Sequence, residues 1–316
     1  EVLRTRILKQ LAKQGKLAET MAQRASRLSE RKGEGKSRPL IDSAEDMLLE
    51  RVLRPKARAK FGGRVKALVS GGAPLTPEIG YFFTGLGMPL LQGYGQTEAG
   101  PIISVNRPST GLKMDTVGTP LRGVEVRIAE DSEILVRGEL VMHGYWRNAE
   151  ETARTLKDGW LHTGDIGHID NRGRIVITDR KKDMIINDKG DNVAPQRVEG
   201  MLTLQPEIGQ AMVSGDRKPY LVGLIVPDTE WAAEWARENG RTGDWTDWRD
   251  DAEFGAAIRA AVDRVNADLS VIEKVRRIMI ADEPFSIENE EMTPSIKIRR
   301  HKLRERYGER LNAMYR

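Results

Sequence analysis

The sequence predicts an α/β region followed by a smaller α+β module, and the first observation behind this is an alternation of elements. An apolar strand, a glycine turn, a helix and a second strand follow one another at 65–69, 70–74, 77–86 and 89–92. This order is typical of a mostly parallel sheet, whose ligands bind at the carboxyl ends of the strands. The second observation is a set of short strands separated by glycine, which indicates a small β subdomain: 124–128, 134–141 and 174–178.

The third observation is a change of pattern after residue 182, which predicts a compact α+β module of ordinary domain size. Pro195 stands where the first turn of a helix would begin, and 210–214 and 220–226 have the composition of strands. We expect the division between the two regions at the charged cluster 180–183. One face of a long helix in the module is apolar, with Phe254, Ile258, Val262, Val265 and Leu269.

Before the first strand, the sequence predicts two helices joined by a polar linker. Apolar residues at helical spacing indicate a helix over 1–28, and a stretch rich in Gly, Lys and Glu at 29–38 indicates a mobile linker. The second helix is expected over 44–60, with Asp42 or Ser43 as its N-cap.

Composition excludes several classes of protein. The 51 basic residues are nearly matched by 47 acidic ones, and a net charge of +4 does not describe a dedicated nucleic-acid binder. The chain has no cysteine, which removes disulfides and cysteine nucleophiles and is typical of a reducing cytoplasm. The longest apolar runs, such as 220–226, are too short to span a bilayer. The four histidines show no metal-ligand spacing, so we expect no structural metal.

The first chemical motif follows the second strand directly and reads Gly93-Tyr94-Gly95-Gln96-Thr97-Glu98. Its glycines let a ligand approach the backbone closely, and Tyr94 offers a flat ring on which a base can stack. Thr97 offers a hydroxyl to a phosphate oxygen, and Glu98 offers a hard oxygen ligand to Mg²⁺. The alternative is an ordinary turn at the end of a strand. A similar turn ends the preceding strand and favours the ligand site; it includes Gly72, Ala73 and Pro74.

The second motif combines a carboxylate with a guanidinium. Asp165 ends the run Trp160-Leu161-His162-Thr163-Gly164-Asp165, and an ionised carboxylate can accept two hydrogen bonds from a ribose diol. Arg180 adds a fixed fork of donors that lysine cannot copy. The alternative for Asp165 is a cap on a turn.

Together these segments resemble the adenylate-forming enzymes, and 70–75 and 192–196 narrow the resemblance to long-chain acyl-CoA synthetases. The resemblance covers the C-terminal half of such an enzyme, and 138–145 adds a further family motif. It implies that 1–181 is the C-terminal part of a large adenylate-forming domain, with a parallel sheet and a small β subdomain. It implies that 182–316 is a small mobile α+β domain. The nucleotide site implied by the family consists of Gly72, Ala73, Pro74, Gly93, Tyr94, Gly95, Gln96, Thr97, Asp165 and Arg180.

Three further residues take their roles from the resemblance. Lys182 matches the hinge about which the second domain turns between an adenylate-forming and a thioester-forming pose; the alternative is a solvated charge run. Lys297 lies between two isoleucines on what we expect to be a short extended segment. It matches the catalytic lysine that bridges the carboxylate and the α-phosphate; the alternative is one more cation in a basic tail. Gly190 matches a glycine beside which the pantetheine arm of coenzyme A passes, although Asp188 and Lys189 depart from the family pattern.

The resemblance implies a reaction and a set of ligands. A long-chain fatty acid would be activated with ATP to an acyl-adenylate and then to acyl-CoA, with release of AMP and pyrophosphate. Thr97, Glu98 and Lys297 would be catalytic, and Glu98 would hold Mg²⁺. The expected partners are the fatty acid, ATP and coenzyme A, with no nucleic acid. The expected location is the cytoplasm, and contact with a membrane surface and a homodimer both stay open.

One family motif is missing from the sequence, namely a Thr/Ser/Gly-rich loop ending in Pro-Lys-Gly that grips the β- and γ-phosphates. The chain therefore looks like a fragment, and we expect the isolated fragment to be inactive. The alternative is a truncated, non-catalytic fragment that binds nucleotide or acyl-adenylate. A third interpretation is a basic, non-catalytic adaptor at a membrane surface.

Overall fold

The computed structural model describes residues 2–13, 15–37, 39–294 and 296–316. The chain divides into two compact units, Glu1–Lys182 and Asp183–Arg316. This division lies next to the predicted one, and the mobility of the second unit stays a prediction. Helices and sheets are combined in both units, so the predicted α/β and α+β fold class is confirmed.

Four helices open the first unit: α1 Val2–Lys13, α2 Lys16–Gly33, α3 Leu40–Val52 and α4 Arg54–Lys60. The single helix predicted over 1–28 is wrong, because Gly15 takes a φ of +108° and breaks the helix between α1 and α2. The linker predicted over 29–38 is wrong in its first half, since α2 continues to Gly33. Its last residue, Arg38, lies outside the described residues.

Helix α2 persists through a polar sequence because it packs closely against helix α5, Pro77–Gly85. A Cβ on Gly85 would lie only 2.5 Å from the carbonyl oxygen of Ala25, so the two backbones approach as closely as glycine allows. The face of α2 that is buried consists of Ala22, Ala25 and Leu28.

The helix predicted over 44–60 is two helices, α3 and α4, and the predicted N-cap is wrong. Helix α3 begins at Leu40, with Pro39 at the cap position, so Asp42 lies inside its first turn. The carboxylate of Asp42 is buried and pairs with the guanidinium of Arg31 at 3.3 Å. Asp42 thus links α3 to α2 instead of capping a helix. A buried carboxylate needs a charged partner, and Arg31 provides it.

The first sheet contains β1 Leu68–Ser70, β2 Leu90–Tyr94, β3 Ser104–Val105 and β4 Thr119–Pro120, in that order. Strands β1 and β2 are parallel, with Ser70 opposite Gln92, and the other two pairs are antiparallel. The turns that follow β1 and β2 therefore leave the same edge of the sheet. Two short 3-10 helices, Thr97–Ala99 and Pro108–Thr110, lie among these strands.

The second sheet of the first unit is the predicted β subdomain. Its strands run in the order β5-β6-β8-β7, with β9 paired to β8, and all of these pairs are antiparallel. Strand β8, Trp160–Ile169, is the centre of this sheet and was not among the predicted strands. The elements are β5 Glu125–Ile128, β6 Glu133–Arg137, α6 Ala149–Thr155, β7 Leu156–Lys157, β8 Trp160–Ile169 and β9 Ile175–Arg180.

The second unit has its own core, built on β12, β13 and β14. Strand β13 pairs antiparallel with β12 and parallel with β14, and the predicted apolar face of α9 is buried. Pro195 occupies the first turn of α7, as predicted. No helix among the described residues is both long and apolar enough to cross a membrane. The elements are β10 Ile185–Ile186, β11 Asn192–Val193, α7 Pro195–Leu202, β12 Ile208–Ser214, β13 Leu221–Pro227, α8 Thr229–Glu238, α9 Ala252–Asp268, β14 Val275–Ile280 and α10 Arg300–Ala313.

Candidate functional site

The two glycine turns predicted to bind a nucleotide are neighbours in space. They leave the same edge of the parallel pair β1 and β2, and a Cβ on Gly71 would lie 3.4 Å from the carbonyl oxygen of Gly93. Gly72 takes a φ of +80°, which favours glycine, and the turn that also contains Ala73 and Pro74 is exposed. An exposed backbone of this kind is open to a ligand.

Gly95 is required for packing within the second turn. A Cβ at this position would lie 1.8 Å from the carbonyl oxygen of Pro101, which is far inside contact distance. The chain folds back here into the short helix that carries Thr97 and Glu98, with Thr97 exposed and Gln96 and Glu98 half-buried. Glycine at position 95 therefore sets the path of the predicted phosphate- and metal-binding residues.

Tyr94 joins the two sheets of the first unit. Its hydroxyl donates a hydrogen bond to Asp165 Oδ2 at 2.7 Å. The residue is only 8% exposed and packs in an apolar cluster, which is not the open face expected for stacking on a base. Burial, and next the charge of Asp165, raise the pKa of Tyr94 above its ordinary value, so the hydroxyl stays a donor at neutral pH.

Asp165 and Arg180, the predicted ribose pair, are cross-strand neighbours on β8 and β9. Arg180 Nε lies 3.2 Å from Asp165 Oδ1, and the arginine side chain is 42% exposed whereas the aspartate is 7% exposed. The backbone N–H of Asp165 also donates to Thr163 Oγ1 at 3.1 Å. The carboxylate thus accepts from Tyr94 through Oδ2 and pairs with the half-exposed guanidinium of Arg180 through Oδ1.

Glu98 is held by the motif at 138–145. Tyr145 donates its hydroxyl to Glu98 Oε1 at 2.8 Å, and the backbone N–H of Met142 donates to the carbonyl oxygen of Glu98 at 2.9 Å. Burial, and next this hydrogen bond, raise the pKa of Tyr145. The two motifs are 47 residues apart in sequence at Glu98 and Tyr145, and the fold brings them together.

One carboxylate at this place fits Mg²⁺. Magnesium in nucleotide enzymes keeps several waters and is bound through one or two protein carboxylates plus the phosphates of the substrate. Glu98 is one carboxylate of the kind required, and its role as a metal ligand stays a prediction. The described part of the chain contains no group of three His, Cys, Asp or Glu residues that could hold a metal by themselves.

In the second unit, Lys297 lies between a turn and Ile298, which forms an isolated antiparallel bridge with Met292. The predicted extended segment is wrong at Ile296. Ile296 has a φ of +59° and donates its N–H to the carbonyl oxygen of Thr293 at 2.8 Å. Thr293 in turn donates to the carbonyl oxygen of Lys297 at 2.8 Å, which closes the turn. The neighbouring Ser295 lies outside the described residues. Side-chain alternation therefore does not set the direction of Lys297, which is exposed.

Two other predicted residues lie at exposed backbone positions. Lys182 is the exposed last residue of the first unit. Gly190 has a φ of +89° in the loop between β10 and β11, and open space surrounds the position of its missing Cβ. The loop is held by Asn187, whose side-chain oxygen accepts the N–H of Asp191 at 2.8 Å. Their roles as hinge and coenzyme A contact stay predictions.

Comparison with known families identifies the chain. A model described as AMP-binding enzyme matches residues 6–146, and a model described as AMP-binding enzyme C-terminal domain matches residues 182–316. The chain belongs to the AMP-binding enzyme family. Long-chain-fatty-acid–CoA ligase FadD15 of Mycobacterium tuberculosis is 38% identical over 278 residues, which are 87% of this chain and 46% of that relative. Human long-chain-fatty-acid–CoA ligase 6 is 32% identical over 286 residues, with 85% and 41% covered.

Two solved structures with adenylation domains or bound AMP share the fold. The adenylation domain of a carboxylate reductase from Mycobacterium chelonae matches with a TM-score of 0.67 and 25% identity, covering 94% of this chain and 45% of that one. A didomain of carboxylic acid reductase from Segniliparus rugosus in complex with AMP matches with a TM-score of 0.65 and 25% identity, covering 94% and 40%. The chain spans about half the length of the curated relatives it matches.

Glu133, which the sequence patterns did not single out, lies next to the predicted ribose pair, Asp165 and Arg180. Glu133 is 5% exposed at the start of β6, and its Oε1 accepts the backbone N–H of Gly164 at 2.9 Å. Its Oε2 lies 3.1 Å from His162 Nδ1 and 3.2 Å from Lys181 Nζ. The sequence feature that could have indicated Glu133 is its position directly before the apolar run 134–136. When such a run is buried, the carboxylate next to it is buried too and needs hydrogen-bond partners.

Proposed function

We propose that this chain is part of an enzyme that activates a long-chain fatty acid with ATP and transfers the acyl group to coenzyme A. The fatty-acid carboxylate attacks the α-phosphate of ATP, which forms acyl-adenylate and releases pyrophosphate. The thiol of coenzyme A then attacks the acyl carbon and displaces AMP. The observation that carries the proposal is the Tyr94–Asp165–Arg180 arrangement, buried at its base and open at Arg180.

The names of the relatives support the class of substrate. Both FadD15 and the human relative are named long-chain-fatty-acid–CoA ligases. The segments 70–75 and 192–196 resemble the same group. Chain length is tested by a panel of fatty acids of increasing length, in a form of the protein that carries out both half-reactions. A preference for short or aromatic acids would contradict the long-chain assignment.

Each residue of the site has a role in this proposal. Asp165 and Arg180 bind the ribose hydroxyls, and the glycine turns lie against the base and phosphates. Thr97 donates to a phosphate oxygen. Glu98 holds Mg²⁺, which supplies neutralisation of phosphate charge when it is bound. Lys297 holds the fatty-acid carboxylate and the α-phosphate together, because a cation between two anions reduces their repulsion and orients the attack.

The second unit would supply different residues to the two half-reactions. In the proposal, the chain turns at Lys182, so that Lys297 serves adenylate formation and the loop of Gly190 serves binding of the pantetheine arm. An exposed lysine on a tight turn and an exposed glycine loop are both compatible with contacts to a substrate. We place the protein in the cytoplasm. Sedimentation with anionic vesicles tests for membrane contact, and light scattering tests for a homodimer.

A second candidate is a nucleotide-binding fragment without turnover. The observation in its favour is the missing Pro-Lys-Gly loop, which leaves the sequence without that family grip on the β- and γ-phosphates. Exchange of labelled pyrophosphate into ATP, measured on the 316-residue chain with a fatty acid present, separates the two candidates. Exchange would contradict the fragment. Binding of AMP without exchange would support the fragment, and absence of both would contradict the nucleotide site.

A further inference from the structure

We propose that Glu133 is a positioning residue for the ribose pair. The buried carboxylate grips the backbone immediately before Asp165 and the side chain immediately after Arg180. The two strands that carry the pair, β8 and β9, are thereby tied to the same point on β6.

The contacts of Glu133 cover both strands. On β8, it accepts the N–H of Gly164 at 2.9 Å and contacts the ring nitrogen of His162 at 3.1 Å. Beyond the end of β9, it pairs with the ammonium of Lys181 at 3.2 Å. Lys181 also donates its backbone N–H to the carbonyl oxygen of Gly164 at 2.9 Å, which closes the link between the strands. The result is a small closed network around one carboxylate.

A carboxylate is suited to this place because it can accept several hydrogen bonds at once. Burial by itself raises the pKa of Glu133, but the hydrogen bonds from His162, the Gly164 amide and Lys181 outweigh burial and leave the pKa below its ordinary value. The group is therefore ionised at neutral pH. An ionised group that is 5% exposed depends on these partners, since an unpaired buried charge is costly.

Gly164 connects the Glu133 network to the predicted ribose site, because it is bonded to Glu133 and directly precedes Asp165. It has a φ of +70°, a region that favours glycine, so the backbone at this position is held by its hydrogen bonds rather than by ordinary strand geometry. Asp165 follows directly, and a small displacement of Gly164 displaces the carboxylate that meets the ribose. Displacements of about 1 Å are enough to weaken a positioned interaction strongly.

Lys181 extends the network towards Lys182. Its ammonium donates to Asp131 at 2.6 Å as well as to Glu133, and the hydrogen bond that it donates to Asp131 raises the pKa of Lys181. The chain is thus anchored at residue 181, one residue before the predicted hinge. The carboxylate proposed to orient the ribose pair thus also pairs with the residue directly before Lys182.

The inference rests on the proposed nucleotide site, and comparison of AMP with 2′,3′-dideoxy-AMP separates the two. Affinities are measured by calorimetry on the 316-residue chain for wild type, Glu133→Ala, Glu133→Gln and the control Glu125→Ala. Glu125 lies on the same sheet but forms an exposed pair with Arg137. We expect wild type and control to prefer AMP by about tenfold, as for lost hydrogen bonds to a charged group. We expect that preference to fall to about threefold or less in Glu133→Ala, with an intermediate value for Glu133→Gln.

Two outcomes distinguish failure of the ribose site from failure of the role proposed for Glu133. If wild type does not discriminate between the ligands, the ribose site itself is refuted and the role of Glu133 with it. If wild type discriminates and Glu133→Ala discriminates equally, only the inference is overturned.

Amide hydrogen exchange provides a readout without nucleotide. In Glu133→Ala, we expect faster exchange at Gly164 and Lys181 with unchanged exchange in the second unit, and no such change in Glu125→Ala. Unchanged exchange at Gly164 would also overturn the proposal. Urea unfolding of each variant establishes that the first unit remains folded.

Discussion

The hydroxyl of Tyr94 meets the carboxylate of Asp165 at 2.7 Å, although 71 positions separate the two residues along the chain. One residue ends a strand of the first sheet, and the other lies on the central strand of the second. Their bond joins the glycine-turn motif to the carboxylate predicted to bind ribose. The tyrosine ring packs in an apolar cluster, so the hydroxyl meets its acceptor inside the unit.

We expect Tyr94→Phe to lower stability and AMP affinity together. The substitution keeps the ring but leaves the buried carboxylate without one donor, at a cost of about 1–3 kcal/mol. Urea unfolding measures the stability, and calorimetry measures the affinity. Tyr220→Phe, which removes a hydroxyl bonded to the carbonyl oxygen of Met314 in the second unit, is the matched control. Equal AMP affinity for wild type and Tyr94→Phe would show that the bond does not orient the site.

We expect Lys297→Ala to block adenylate formation and largely spare thioester formation from supplied acyl-adenylate. The reason is that the lysine acts on two anions that are both present only in the first half-reaction. The rates of adenylate formation and of thioester formation are measured separately, in a form of the protein that performs both. The control is Arg304→Ala, which removes an exposed cation on the nearby helix α10 and should leave both half-reactions intact. Equal losses in both half-reactions would count against the assigned role.

We expect Gly95→Ala to destabilise the first unit by about 2 kcal/mol or more, as overpacking against backbone does. The new Cβ would lie 1.8 Å from the carbonyl oxygen of Pro101, and no side-chain rotation can relieve the clash. Gly71→Ala is the control, because its Cβ would meet the carbonyl oxygen of Gly93 at 3.4 Å, an ordinary contact. Urea midpoints that fall equally in both variants would contradict this account.

We expect acid to weaken the first unit through Asp170. Burial raises the pKa of this carboxyl, but hydrogen bonds from Arg174 and from backbone N–H groups outweigh burial and lower the pKa from 3.8 to about 2. A carboxyl with a lowered pKa stabilises the fold above its unfolded pKa, and this stabilisation is lost as the pH falls from about 4 to about 2.

The measurement is urea unfolding between pH 2 and pH 6 for wild type and Asp170→Asn. The variant should be less stable at pH 6 and should lack this part of the acid dependence. Asp263→Asn, a change on α9 in the other unit, should leave the acid dependence of the first unit as it was. A variant with the full acid dependence of wild type would exclude Asp170 as its source.

Local sequence patterns predicted the elements whose buried faces are apolar throughout. The apolar face of α9 and the strands around the glycine turns follow from periodicity and turn chemistry, and both were found. Strand β8 was not assigned because its buried face includes Thr163 and Asp165, so the usual apolar alternation is hidden. The extended segment at Lys297 failed for another reason, since Ile296 takes a left-handed backbone conformation that its sequence does not favour.

The sequence by itself determined the fold class, the edge at which the glycine turns meet and the pairing of Asp165 with Arg180 as candidate ligands of a ribose. These follow from residue types and short spacings. Only the tertiary structure decided three contacts: Tyr94 with Asp165, Tyr145 with Glu98, and Glu133 with the residues next to Asp165 and Arg180. The physical reason is that buried polar groups must be satisfied by whatever donor or acceptor the packed chain brings within reach, and those partners are distant in sequence.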